Sequence, residues 1–267
     1  MCIRDRIHFQ SEDNLFDEVN NLKKKYQYTK IQKLSSSELS TIIDTDLYDG
    51  GCLDFGAGHL NPLKFVQGLG TAAKKNNVQI FEKCCVEKID YGKKNTISVS
   101  NGYTVVSDYL IIACNGYLGN LEPNISSRVM PINNFILTTE VLGNNLLNSF
   151  LNNNYAVADN KFVPNYFRPS PDNRLIFGGG ENYTYRFPKD IKTIVRKKML
   201  KVYPQLKNTR IDFAWGGTLA VTRNRLPYFA KIQPNVFSAS GYSGHGVALT
   251  VLAGKIISEL IEGDSKS

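Results

Sequence analysis

Apolar and polar positions alternate with different periods along the chain, and the change of period sets its organisation. Residues 12–25 are mostly polar and predict a polar helix. Residues 36–43 predict a second helix, opened by a serine cap with Glu38 in its first turn. The stretch from Tyr48 to His59 is rich in glycine and reads as a loop. Asn61-Pro62 then reads as a cap followed by proline at the first helical position, so a helix is predicted from Pro62 to about Lys75. Beyond it the period shortens to that of strands. Val78–Phe81 is a short apolar run. Val86–Tyr91 and Thr96–Ser100 alternate, and Asn101-Gly102 reads as a hairpin turn. Tyr109–Cys114 is unbroken apolar sequence, the pattern of a strand buried on both faces.

Further strands are predicted within Met130–Leu142, Arg174–Gly178 and Ile211–Trp215, with Tyr166 and Arg168 also on a strand. One basic amphipathic helix, Asp190–Tyr203, interrupts this section and stops at Pro204. The section therefore reads as a mainly antiparallel sheet. Val236–Ala239 is a last short strand, followed by a glycine-rich turn and an apolar helix from Val247 to about Ile261. The whole pattern is α+β.

With 267 residues the chain is long enough for one large domain or two smaller ones. Its hydrophobic share of 42% and charged share of 21% are those of an ordinary globular protein. No run of about 18 apolar residues predicts a membrane span. The first ten residues carry charges with no apolar run behind them, unlike a secretory leader. Cys2, Cys52, Cys84, Cys85 and Cys114 are odd in number and form no C-x-x-C pair. They read as thiols in a reducing compartment, hence a cytoplasmic protein, and not as a disulfide framework. His8, His59 and His245 have no i, i+4 partner, so no metal site is expected. The net charge of +8 admits nucleic-acid binding. However, Lys23–Lys25 and Arg196–Lys198 lie on amphipathic helices without interleaved aromatics, so a solvated basic surface is the preferred reading.

Two segments carry candidate chemistry. In the first, a strand leads through Gly241, Gly244 and Gly246 into a helix. The glycines let backbone approach a ligand, and the first N–H groups of a helix favour negative charge. Three glycines before a helix are as often only a tight turn. In the second, a buried strand ends in Ala113-Cys114-Asn115-Gly116, as nucleotide-binding strands end at a ligand crevice; taken alone, a core strand and a turn explain it better.

The ordered set of segments is more specific than either. It comprises Gly50-Gly51-Cys52-Leu53-Asp54, Gly58-His59-Leu60, Ile112–Gly119, Val129-Met130-Pro131 and Tyr166-Phe167-Arg168. It continues with Arg174–Gly180, Ala214-Trp215-Gly216-Gly217, Thr222–Pro227 and Gly241–Thr250. From about Tyr48 onward the chain resembles the FAD-dependent superfamily of D-amino-acid oxidase, glycine oxidase and sarcosine oxidase. The resemblance implies FAD as cofactor and an FAD-binding α/β domain with an inserted, mainly antiparallel substrate sheet. It implies a discontinuous cofactor part at 50–125 and 213–264, a substrate part at 126–212, and a helical N-terminal remnant at 1–49. The family's G-x-G-x-x-G unit is absent from 1–47, and the opening Met1–Arg6 matches nothing in the family pattern. The expectation is an N-terminally truncated chain whose FAD-binding domain is incomplete.

By the same resemblance, the backbone at Val86 meets the adenine, and Ala113, Cys114, Asn115 and Gly116 lie along the cofactor. Gly241, Tyr242 and Ser243 also serve the cofactor, and the loop and helix start around Gly244, His245, Gly246 and Val247 face the pyrimidine end of the flavin. His245 suits a general base, but its place in the loop favours packing or hydrogen bonding beside the flavin. Amino-acid oxidases of the superfamily commonly read W-x-G-x-R-P, with the arginine holding the substrate carboxylate. Aligned on Trp215 and Gly217, that position is Leu219, which makes no paired hydrogen bonds to a carboxylate. An amine is therefore expected in place of an α-amino acid, with Tyr166, Arg168, Trp215, Leu219 and Arg225 as candidate substrate residues. Arg223 and Arg225 suit a distal carboxylate, the cofactor or structural ion pairs equally. The implied reaction is oxidation of the amine to an imine and aldehyde, with no side chain assigned as acid or base. Oxygen is the expected acceptor; a dehydrogenase using another acceptor and an inactive fragment are the alternatives. Partners are a small amine and the acceptor, with no nucleic acid and no membrane span.

Overall fold

A computed structural model describes residues 12–151, 154–184 and 186–265; positions 1–11 of the expected N-terminal segment lie outside the described residues. In chain order the elements begin with α1 (Glu12–Tyr26), β1 (Ile31–Ser35), α2 (Ser36–Ser40), β2 (Gly50–Asp54) and α3 (Pro62–Lys75). Four short strands follow: β3 (Val86–Asp90), β4 (Asn95–Val99), β5 (Thr104–Ser107) and β6 (Leu110–Ile112). Next come α4 (Pro123–Ser126), β7 (Met130–Thr139), α5 (Asn144–Phe150), β8 (Val157–Ala158), β9 (Tyr166–Pro169) and β10 (Leu175–Asn182). The chain closes with α6 (Ile191–Val202), β11 (Ile211–Val221), β12 (Tyr228–Gln233), β13 (Val236–Ser240) and α7 (Gly246–Ser265). The fold is α+β, as the sequence implies.

The chain divides into two compact units, one formed by Leu60–Ile132 with the stretch from Thr218 onward, the other by the stretch up to His59 with Asn133–Gly217. The first unit holds a sheet of order β12-β13-β6 and a separate antiparallel sheet of order β3-β4-β5. In the former, β13 runs antiparallel to β12 and parallel to β6. Asn235 stitches the turns together, its Nδ2 donating to the carbonyls of Gly92, Lys93 and Asp108 at 2.7–3.3 Å.

The second unit carries the β1-β2 hairpin and a five-stranded sheet of order β11-β7-β10-β9-β8. Within that sheet β7, β10, β9 and β8 pair antiparallel in turn. One face of it packs on α6: Phe135, Leu137, Phe167, Leu175 and Phe177 close on Val195, Met199 and Tyr203. The Phe167 and Phe177 rings stack at 5.4 Å, and Tyr203 meets Phe167 edge-on at 5.2 Å. Such aromatic pairs add to the apolar area they bury.

Local chemistry places several helix ends where the sequence predicts them. Asn61 Oδ1 accepts from Lys64 N at 3.1 Å, with Pro62 in the first turn of α3. Ser35 and Glu38 form a reciprocal capping box at α2. The hairpin turn at Asn101-Gly102 is present, with Gly102 at φ +82°.

Three expectations are corrected. Val78–Phe81 forms no strand and Phe81 is exposed, because no described strand pairs with it. Tyr109–Cys114 contributes only the three residues of β6. It is not buried on both faces: among the described residues β6 is the edge of its sheet, and Ile111 is 48% exposed. The glycine-rich stretch after Tyr48 is not wholly a loop, since Gly50–Asp54 is the buried strand β2, paired with β1.

Candidate active-site elements

Parallel pairing of β13 with β6 puts the carboxyl ends of both strands side by side in the first unit. Ser238 Oγ donates to the Ile112 carbonyl at 3.0 Å. Just past the strand ends, Gly241 N donates to Asn115 Oδ1 at 3.1 Å, across 126 residues of sequence. The two candidate cofactor segments are therefore neighbours, at the place where parallel strands of α/β sheets bind ligands. Their backbones turn sharply: Asn115, Gly241, Ser243 and Gly244 all have positive φ, +93° at Gly244. Ser243 anchors the turn, its N donating to the Ala220 carbonyl at 2.9 Å and its hydroxyl to the Gly241 carbonyl at 3.1 Å. Tyr242 is buried with Phe237, Ala253 and Ile257, which fixes where α7 starts.

Gly116 is held close to β11. A Cβ there would lie 2.8 Å from the carbonyl oxygens of both Thr218 and Leu219, so only glycine fits. Thr218 N donates to Tyr117 Oη at 3.0 Å and closes the same contact. Burial pushes the Cys114 thiol above its usual value. Val86 stands on the other sheet of this unit, opposite Val99. That sheet is linked to β6 by Ile89, which packs against the cluster holding Ile112. Arg225 is exposed in the turn after β11, with φ +63° and its N donating to the Thr222 carbonyl.

The second unit offers a sheet face turned away from α6. Tyr166 and Arg168 alternate with the core residue Phe167, so both lie on this face. Tyr166 is the direct partner of Gly178, and its ring rests on that glycine. Its hydroxyl donates to Asn134 Oδ1, while Asn134 Nδ2 donates to the Gly180 carbonyl at 3.1 Å. Burial pushes the Tyr166 hydroxyl above its usual value. On β11, Ala214 packs on the core and Gly216 faces the Phe135 and Phe187 rings, so the intervening Trp215 belongs to the opposite face, where it is exposed.

The family model for "DAO: FAD dependent oxidoreductase" matches residues 6–260. The chain belongs to this family. It is 36% identical over 243 residues to gamma-glutamylputrescine oxidoreductase of Escherichia coli (strain K12), covering 91% of this chain and 57% of that protein. It is 38% identical over 260 residues to the probable oxidoreductase OrdL of Haemophilus influenzae, covering 95% and 59%. The chain thus spans less than two thirds of these relatives' length. In fold it matches glycine oxidase from Geobacillus kaustophilus with a TM-score of 0.80 at 18% identity, over 97% of this chain and 70% of that one. L-proline dehydrogenase from P. horikoshii matches with a TM-score of 0.79 at 17% identity, over 97% and 72%.

DAO-family proteins are FAD-dependent, and the residues present fit part of such a cofactor. The strand-end pair at Asn115 and Gly241, and the positive-φ turn before α7, stand at the carboxyl ends of paired parallel strands, where α/β sheets bind nucleotides. No Cβ at Gly244 would meet an atom within 4 Å, so the turn leaves room beside it. The candidate substrate residues divide: Tyr166, Arg168 and Trp215 stand in the second unit, Leu219 and Arg225 in the first. Asn134 and the contact between His59 and Arg168 are not legible in the sequence. Neither carries a local signal, because both depend on pairing across distant strands and loops.

Proposed function

We propose that the protein carrying this chain oxidises the carbon–nitrogen bond of an amine to an imine, with a γ-glutamylated diamine as the substrate class and oxygen as acceptor. The observation that carries this reading is Leu219. It is an aliphatic residue where the family resemblance implies the arginine that holds an α-carboxylate. An α-amino acid there would find no paired donors for its carboxylate, whereas an amine has no such group at the reacting carbon. The 36% identity to gamma-glutamylputrescine oxidoreductase supports the same choice.

In this reading Val86, Ala113–Gly116 and Gly241–Val247 hold FAD, and Tyr166, Arg168, Trp215, Leu219 and Arg225 serve the substrate. FAD, when bound, supplies the two-electron acceptor. The first N–H groups of α7 stabilise negative charge placed at its N-terminus. Asn115 holds the turn before α7 to the end of β6, and Gly116 lets that segment sit against β11. An amine that binds neutral needs no strong side-chain base.

The test is kcat/KM of the flavin-loaded protein for γ-glutamylputrescine, putrescine, glycine and D-alanine, read as aldehyde formed and oxygen consumed. The γ-glutamylated amine should lead the amino acids by at least about 10-fold, and Leu219→Arg should narrow the gap. A lead for glycine or D-alanine with Leu219 in place sinks the substrate argument. Aldehyde formed without oxygen uptake sinks oxygen as acceptor.

A further inference from the structure

Tyr166 and Asn134 stand two strands apart in the second unit, on β9 and β7, with β10 between them. Gly178 on β10 has no side chain, so the Tyr166 ring lies over it and carries its hydroxyl across to Asn134. Both residues lie on the sheet face turned away from α6, and both keep part of their surface exposed. A second bond fixes which way the Asn134 amide points. One end of the amide is 3.1 Å from the Gly180 carbonyl, and a carbonyl only accepts. The atom there is therefore Nδ2, and the atom toward Tyr166 is Oδ1.

Oδ1 only accepts as well, so the Tyr166 hydroxyl spends its one hydrogen on Asn134. Burial pushes the hydroxyl pKa above its usual value, so that hydrogen stays in place at neutral pH. What Oη has left is lone pairs. A hydroxyl free to rotate serves as donor or acceptor as a ligand requires, but this one is set as an acceptor. An N–H group brought to it completes a hydrogen bond. A carboxylate oxygen brought to it meets lone pairs with lone pairs. It gains a bond only if Tyr166 gives up Asn134, whose Oδ1 then loses its donor.

We propose that Asn134 sets the polarity of Tyr166, so that this face takes a ligand group bearing N–H, an amine or an amide, and disfavours a carboxylate at the same point. Asn134 is a positioning residue; Tyr166 touches the ligand. This rests on the amine-oxidising reading above and deepens it by an observation independent of Leu219.

Trp215 is the only tryptophan of the chain and is exposed on this face. The experiment titrates the full chain with pentylamine and with pentanoate, which differ in the polar end, and follows tryptophan fluorescence. Pentylamine binding to the native chain should saturate and be at least about 10-fold tighter than that of pentanoate. Asn134→Leu frees the Tyr166 hydrogen, so pentanoate should gain about 10-fold while pentylamine moves by less than about 3-fold. Asn134→Asp still accepts from Tyr166 and should bring no gain. Tyr166→Phe removes the acceptor without touching Asn134 and should weaken pentylamine roughly 3- to 10-fold. Adding Asn134→Leu to Tyr166→Phe should leave pentanoate unchanged, whereas a merely structural Asn134 loosens both ligands alike. No saturable pentylamine binding, no loss in Tyr166→Phe, or a pentanoate gain that persists without the Tyr166 hydroxyl overturns the proposal. Selectivity that follows Asn134, in a flavin-loaded protein that oxidises no amine, keeps the proposal and removes the reaction.

Discussion

Gly178→Ala isolates the support of the Tyr166 ring. The two residues are direct partners across β10 and β9. A Cβ at 178 would stand 1.9 Å from Tyr166 Cε2 and 2.1 Å from Cζ. Carbon atoms rest about 3.5–4.0 Å apart, so the ring has to withdraw by about 1.5 Å or more. The withdrawal pulls its hydroxyl from Asn134, whose orientation is fixed by the bond from its Nδ2 to Gly180. Overpacking costs about 1–3 kcal/mol and the lost hydrogen bond about 0.5–1.5 kcal/mol. Opposing them, alanine is better than glycine inside a strand by roughly 0.5–1 kcal/mol. Gly178 does not have a positive φ, so the substitution adds no backbone strain. The net expectation is a loss of about 0.5–4 kcal/mol in urea unfolding followed by Trp215 fluorescence. In a Tyr166→Ala background the clash is gone, and Gly178→Ala should be neutral or stabilising by up to about 1 kcal/mol. The propensity gain cancels in the double-mutant cycle, which should therefore show a coupling of about 1.5–4.5 kcal/mol. The same cost in both backgrounds refutes the steric account.

Gly244→Ala tests conformation without crowding: no atom lies within 4 Å of its Cβ position, but φ is +93°, so a cost of about 1–3 kcal/mol is expected from the backbone alone. Unchanged unfolding midpoints in both Gly244→Ala and Gly244→Asn would show that the turn relaxes freely. Glu122 is buried; burial raises its carboxyl pKa, but hydrogen bonds from Tyr91 Oη and Asn124 N outweigh that and leave it below its ordinary 4.5. A depressed folded-state value stabilises above pH 4.5, and this stabilisation disappears as pH falls through the lower folded value. Unfolding midpoints from pH 7 to 3 should drop more steeply in the native chain than in Glu122→Gln, and parallel curves would refute it.

What the sequence discloses is what a few adjacent residues decide. Asn61 and Pro62 set the start of α3 without help from the rest of the chain, and Asn101-Gly102 sets its hairpin. Strand partners are different. Gly50 and Gly51 read as loop residues, yet they pair with Ser35 and Leu34 and are buried in β2. Val78–Phe81 has strand composition but no strand partner among the described residues, so composition alone does not make it a strand. The candidate cofactor segments are each visible in sequence as glycine-rich strand ends. That they adjoin follows only from β13 running parallel to β6, which lets Asn115 reach Gly241.

Glycine shows most clearly why a site is only half readable in this way. The same letter stands at three candidate positions, two in the first unit and one in the second, for three reasons. At Gly116 the reason is backbone: two carbonyl oxygens of β11 leave no room for a Cβ, and neither can swing aside as a side chain does. At Gly178 the reason is a side chain, since the Tyr166 ring fills the space and removing the ring would restore it. At Gly244 space is open and the reason is φ. The sequence shows the same residue at all three positions, but the three respond differently to substitution. Only at Gly178 should a compensating change elsewhere rescue alanine; at Gly116 and Gly244 the constraint lies in the backbone, and no second side-chain substitution relieves it.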